Sequence, residues 1–169
     1  MVRVYIPATL AMLQQLVADR LIHARSGTAF AVTPTLRESY AEGDDDELAE
    51  VALREAALAS LRLLVGQGET GLPPRRAVLV ADVGAGIEVT VRPDLDDAVV
   101  RLSGPVALDD VLAAYVDNAA AEAAVLAAVD LVDDADLGDE DAELAVGDAQ
   151  DHDLAWYAPQ ELPFLLDLL

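Results

Sequence analysis

Residues 2–13 read VRVYIPATLAML, and residues 157–165 read YAPQELPFL. Both fit one pattern, Y-x-P-x-x-L-x-x-L. Tyr5, Pro7, Leu10 and Leu13 occupy it at the start of the chain, and Tyr157, Pro159, Leu162 and Leu165 at the end. Each copy reads as a short apolar strand, a proline, and then an amphipathic helix. Proline suits the first turn of a helix, where its missing N–H has no partner to lose. A third corner of similar form follows Thr28–Val32, a strand that ends at Thr33-Pro34. Threonine there is a helix N-cap with proline at the first helical position.

Working outward, the pattern predicts a strand at Val2–Ile6 and a helix at Pro7–Asp19, with Leu10, Leu13, Leu16 and Val17 on one stripe. Residues Arg20–Gly27 connect to Thr28–Val32, and Thr33–Tyr40 forms a short helix. Gly43–Glu47 leads into the longest helix, about Asp46–Val65, whose acidic start complements the helix dipole. Glu47, Glu50, Arg54, Glu55 and Arg62 share its wet face, and Glu50 and Arg54 are spaced to pair. After a Gly/Pro loop at Gly66–Arg76, the run Ala77–Val83 is the clearest buried strand. Gly84–Gly86 turns the chain toward Ile87–Val91 as a hairpin strand, and Ala98–Leu102 is another. Val106–Asp110 is a turn or short helix, and Leu112–Val116 a further strand. Asn118 is placed to cap a helix over Ala119–Leu131. Asp133–Asp148 reads as a short surface helix with loops. Leu154–Tyr157 and Pro159–Leu168 are the last strand and helix. The alternation predicts an α+β sandwich, one domain over 1–169, with a mixed sheet of about 5–7 strands and helices packed on it. Residues 133–153 form an acidic surface segment within it.

Hydrophobic residues make up 54% of the 169, enough for a substantial core. The ten basic residues are all arginine, and all lie at or before Arg101. The formal net charge of −22 is therefore uneven: −5 on residues 1–101 and −17 on residues 102–169. Such a field repels nucleic acid and anionic membranes, so neither is an expected partner. Without cysteine there are no disulfides and no thiolate zinc sites or nucleophiles. No apolar run reaches membrane-spanning length. Pro7, Gln14 and Gln15 interrupt the first apolar segment and no A-x-A site follows, so the expected location is the cytoplasm.

Chemistry-bearing motifs are sparse. Gly66–Gly71 matches G-x-G-x-x-G, but a helix precedes it and Pro73-Pro74 and a strand follow, the reverse of a dinucleotide site. Ser26, Ser39, Ser60 and Ser103 lack the G-x-S-x-G setting, and without lysine there is no Schiff base or P-loop. A classical enzyme is the less favoured reading, and no cofactor is implied. Asp133, Asp134, Asp136, Asp139 and Asp141, with Glu140 and Glu143, offer oxygen ligands for a divalent metal but miss the EF-hand pattern. Asp148, Asp151, His152 and Asp153 stand before Trp156 and Tyr157. This is the densest group of functional side-chain types, and a histidine between carboxylates suits a base or a ligand. His23, between Arg20 and Arg25, is a second polar group.

The stretches VRVYIPATLAML, TAFAVTPTLRESYAEGDDDELAEVALREAALASLRLL and GDEDAELAVGDAQDHDLAWYAPQELPFLLDLL together resemble a family of uncharacterised proteins from mycobacteria and other actinobacteria, a domain of unknown function. The resemblance implies an actinobacterial origin, in line with the lysine-free composition. A fainter likeness is to ADP-ribosyltransferase-like domains, carried by Val4-Tyr5-Ile6 and Phe30-Ala31-Val32-Thr33-Pro34. Ile6 replaces that family's histidine and no catalytic glutamate has a place, which argues against NAD chemistry.

Three functions follow as expectations. The first is a non-enzymatic interaction or regulatory module that presents its acidic surface to a basic protein partner. The second is a small anionic-ligand or degenerate transferase-like domain. Its site lies where strands meet helices near Pro7, Pro34 and Asp151–Tyr157, with Tyr5 and with Arg3, Arg25 or Arg37 contributing. The third is divalent-metal binding by the acidic segment.

Overall fold

A computed structural model describes residues 1–40, 42–68 and 70–169. Glu69, within the G-x-G-x-x-G match and its loop, lies outside the described residues. The described strands are β1 (Val2–Ala8), β2 (Leu21–Ile22), β3 (Thr28–Phe30), β4 (Ala77–Val83), β5 (Val89–Val91), β6 (Val99–Leu102), β7 (Val106–Ala107), β8 (Val111–Val116) and β9 (Ala155–Tyr157). The helices are α1 (Leu10–Asp19), α2 (Pro34–Ser39), α3 (Asp45–Gln67), α4 (Glu122–Asp136), α5 (Glu140–Gln150) and α6 (Leu162–Asp167). Seven strands form one sheet in the order β5-β6-β3-β1-β4-β8-β9, and β2 pairs with β7 in a separate ribbon.

The α+β class and the strand number are as the sequence predicts. The sheet differs in one respect: every described pairing is antiparallel. Alternating strand and helix patterns identify the strands, but strand direction depends on how often each connection crosses the sheet. Here β1 lies between β3 and β4 and runs opposite to both.

The period-2 alternation of β1 explains the layers. Val4, Ile6 and Ala8 point into a core built from Leu10, Leu13 and Leu16 of α1 and Leu162 and Leu165 of α6. Tyr5 points to the opposite face, with Phe30, Val78, Val80 and Ala113, under Leu48, Ala52, Ala56 and Ala57 of α3. A third cluster joins Leu61 of α3 to Val125, Ala128 and Val132 of α4 and Ala149 of α5. The four leucines of the repeated motif thus meet in one core. The two ends of the chain fold against the same sheet face, and α1 packs on α6.

Several boundaries are corrected. Pro7 belongs to β1, opposite Val78, and Thr9 caps α1 through a bond from the Met12 N–H (3.2 Å). Its missing donor disrupts no ladder there, because the described β1–β3 pairing is confined to Tyr5 and Phe30. The other two corners fit expectation. Thr33 caps α2 from the Leu36 N–H (3.1 Å), with Pro34 at the first turn. Pro159 opens the turn that leads into α6. Asn118 makes no side-chain capping bond, and its segment begins as a 3-10 turn over Ala119–Ala121. The acidic segment, expected as a short helix with loops, is a helical hairpin. It comprises the end of α4, a turn at Leu137-Gly138 with Gly138 at φ 92, and α5.

Candidate functional site

Ala8, Ala77, Val116 and Ala155 stand in register across β1, β4, β8 and β9. Just past that row lie Arg76 and Asp117, side chains 1% and 0% exposed. The Asp117 carboxylate accepts from the Arg76 backbone N–H (2.8 Å), Nε (2.9 Å) and Nη2 (2.8 Å). Nη2 also donates to the His152 carbonyl, and Nη1 to Gln150 Oε1, each at 2.8 Å. Gln150 Nε2 in turn donates to the Arg54 carbonyl on α3 (3.2 Å). Ser60 adds a bridge from α3, donating to the Ala8 carbonyl (2.6 Å) and accepting from the Ala77 N–H (3.0 Å). A buried ion pair is tolerable only when its remaining donors and acceptors are matched, and these are. Arg76 therefore latches the end of α5 and the entry to β9 onto the sheet.

Beside the latch is a cleft of about 170 Å³ lined by Glu50, Leu53, Arg54, Ala57, Gln150, His152, Asp153 and Leu154. The expected Glu50–Arg54 pair is not formed: among the described ion pairs neither residue occurs, and both side chains border the cleft. Asp117 neutralises Arg76, so the floor of this cleft offers an anion little net charge.

On the outer side of the hairpin, Glu140, Glu143, Leu144, Gly147, Asp148 and Asp151 border an open trough of about 500 Å³. Their spacing of three, one, three, one and three places them on one helical stripe. Leu144 is 67% exposed. None of the four carboxylates takes part in a described ion pair. The helix is set by Asp139, whose side chain caps it from the Ala142 N–H (2.9 Å), and by Glu140, Asp141 and Glu143 in its first turn.

The expected site residues scatter. His152 and Asp153 reach the cleft and Asp151 the trough. Trp156 lies exposed on β9 opposite Tyr115, whereas Tyr157 packs into the α1–α6 core. Tyr5 is buried beneath α3, and that burial pushes its phenol pKa up against the pull of Arg3. Arg3 grips Asp82 at 3.0 and 3.2 Å, and Arg37 pairs with Asp45 at 2.6 Å. The three strand-to-helix corners do not converge. β1 and β3 are antiparallel, so Pro7 and Pro34 sit at opposite ends of the sheet. Of the metal candidates, Asp136 binds Arg62 (2.9 Å) and Asp139 caps α5. Asp133, Asp134 and Asp141 are exposed on the hairpin. Among the described residues no three His, Cys, Asp or Glu side chains form a group that could hold a metal ion. Arg76, Asp117 and Gln150 are the positions that sequence reasoning missed. Their one signal was opposite charges flanking two apolar strands, which has meaning only once the register is known.

Fold and surface together define an acidic α+β protein with helices on both faces of an antiparallel sheet and, on the α4–α5 hairpin, a carboxylate stripe that takes part in no described ion pair. The chain belongs to the family of unknown function DUF6912, whose model matches residues 2–166. Neither the curated proteins nor the solved structures give a match. Among the described residues no helix is long and apolar enough to cross a membrane.

Proposed function

We propose that this protein is a non-enzymatic interaction module, and that the outer stripe of α5 docks a basic segment of a partner protein. The observation that carries this reading is Leu144, 67% exposed and bordered by Glu140, Glu143, Asp148 and Asp151, none of them in a described ion pair. An apolar anchor within a carboxylate ring suits an amphipathic basic segment: burial of the leucine supplies affinity, and charge supplies steering and selectivity. Residues 102–169 hold no arginine or lysine that could compete for these carboxylates locally. The partner is met in the cytoplasm, and the lysine-free composition fits an actinobacterial source.

The test compares two variants of equal formal charge. One neutralises Glu140, Glu143, Asp148 and Asp151 to their amides; the other neutralises Asp19, Glu38, Glu88 and Asp167, exposed acids elsewhere. Calorimetric titration with an amphipathic arginine-leucine peptide should show the first variant weakened about tenfold and the second less than about twofold. Equal weakening means that the whole field, not α5, attracts the peptide, and the proposal fails.

A further inference from the structure

Trp156 is the chain's single tryptophan, and it is 56% exposed. It sits on β9, the last strand in the sheet order, which pairs with β8 and with no other described strand. The outer edge of β9 therefore presents backbone groups without a ladder partner. Trp156 stands opposite Tyr115, which packs on the core beneath α3. Leu154, two residues earlier and on the same side of the strand, borders the cleft beside α3. An indole left in water next to a tyrosine and a leucine contributes little to the core and much to a contact surface. Along the sequence the flanking charges are all negative, Asp148, Asp151 and Asp153 before the strand and Glu161 and Asp167 after it, and across the cleft Leu154 meets one charge of each sign, Glu50 and Arg54. The opposite edge, β5, has no aromatic residue and is followed directly by Arg92.

We propose that the β9 edge receives an extended, basic segment of a partner protein as an added strand, with an arginine or lysine of that segment stacked on Trp156. Strand addition takes its affinity from main-chain hydrogen bonds and its selectivity from alternate side chains. A cation over the indole face is attracted by the ring quadrupole, and the surrounding carboxylates repel acidic segments. The inference rests on the preceding reading in one respect, that the partner is basic, but it uses a different surface.

Because Trp156 is the only indole, its emission reports this edge directly. The probe is a short synthetic peptide alternating arginine and valine. Its control has proline in place of each valine, with equal charge but fewer backbone donors. The expected result is a saturable shift of Trp156 emission with the first peptide and binding at least about tenfold weaker with the second. Calorimetry on Trp156→Ala, an exposed position, should show about a tenfold loss. The variant neutralised on α5 at Glu140 and Glu143 alone, which leaves Asp148 and Asp151 charged, should keep the emission shift. Equal binding of both peptides overturns the proposal. Binding that leaves Trp156 emission unmoved and is lost in the α5 variant overturns it too, while sparing the α5 reading. No binding of either peptide also overturns the proposal, while the α5 reading is decided by its own titration with the arginine-leucine peptide.

Discussion

Arg76 is the side chain whose loss the fold tolerates least. It is 1% exposed and its guanidinium is shared among Asp117, Gln150 and the His152 carbonyl. Removing one member of a buried pair strands the other charge, so Arg76→Met should cost roughly 3–5 kcal/mol in urea unfolding. The double variant Arg76→Met with Asp117→Leu should recover most of that loss, since no charge is then left uncompensated. If the single and double variants are equally destabilised, the pair is not coupled as described. Glu55 makes a pH-dependent case. Burial first, then the charges of Asp96 and Asp97, raise its pKa above the ordinary value of 4.5. An acid raised in the folded state weakens folding once pH climbs above its unfolded pKa, because the native form then holds a disfavoured charge. Glu55→Gln should therefore raise the melting temperature at pH 7, and the gain should vanish below about pH 4.5. A gain that persists in acid would contradict this cause. At this scale little of the site was legible. Arg76 and Asp117 each look like ordinary strand-flanking charges until β4 and β8 are paired, and a one-residue slip would part them.

The elements were legible where local chemistry decides them. Thr33-Pro34 opened a helix as its residue types predict, and Leu10, Leu13, Leu162 and Leu165 reached the core as their spacing predicts. Pro7 did not open its helix, because Thr9 two residues later supplies a cap that proline lacks. The acidic segment was underestimated for a related reason. Few apolar residues suggested loops, but Asp139 nucleates α5 by capping, and Ala142 and Ala149 bury against its neighbours. Asp139→Ala should cost about 1 kcal/mol, with hydrogen exchange accelerated over α5. Leu13→Ala and Leu162→Ala should each cost about 2–5 kcal/mol in denaturant unfolding. Since α1 and α6 share one core, the double variant should depart from additivity. Strict additivity would mean that the two chain ends are energetically independent.

The whole molecule divides by charge, with all ten arginines at or before Arg101 and −17 on residues 102–169. Seven of the arginines are held in ion pairs, three with acids of the first 101 residues and four with acids of residues 102–169, of which only Glu122 and Asp136 lie on the hairpin. The acidic hairpin thus keeps most of its charge unneutralised. Self-repulsion should then limit stability. Raising sodium chloride from about 0.01 M to about 1 M shortens the screening length from about 30 Å to about 3 Å and should raise the melting temperature. Potassium should act like sodium; a response to one ion alone would point to a specific site. The charge asymmetry was fully legible in the sequence. The shape that gives it an address was not, because the stripe of α5 and the open edge of β9 depend on packing between distant segments. The most direct measurement is hydrogen exchange on the intact protein with and without an amphipathic arginine-leucine peptide. Protection confined to residues 140–151, with or without 155–157, is the predicted result. Protection spread over acids throughout the chain, or none over α5, would contradict a docking role for this surface.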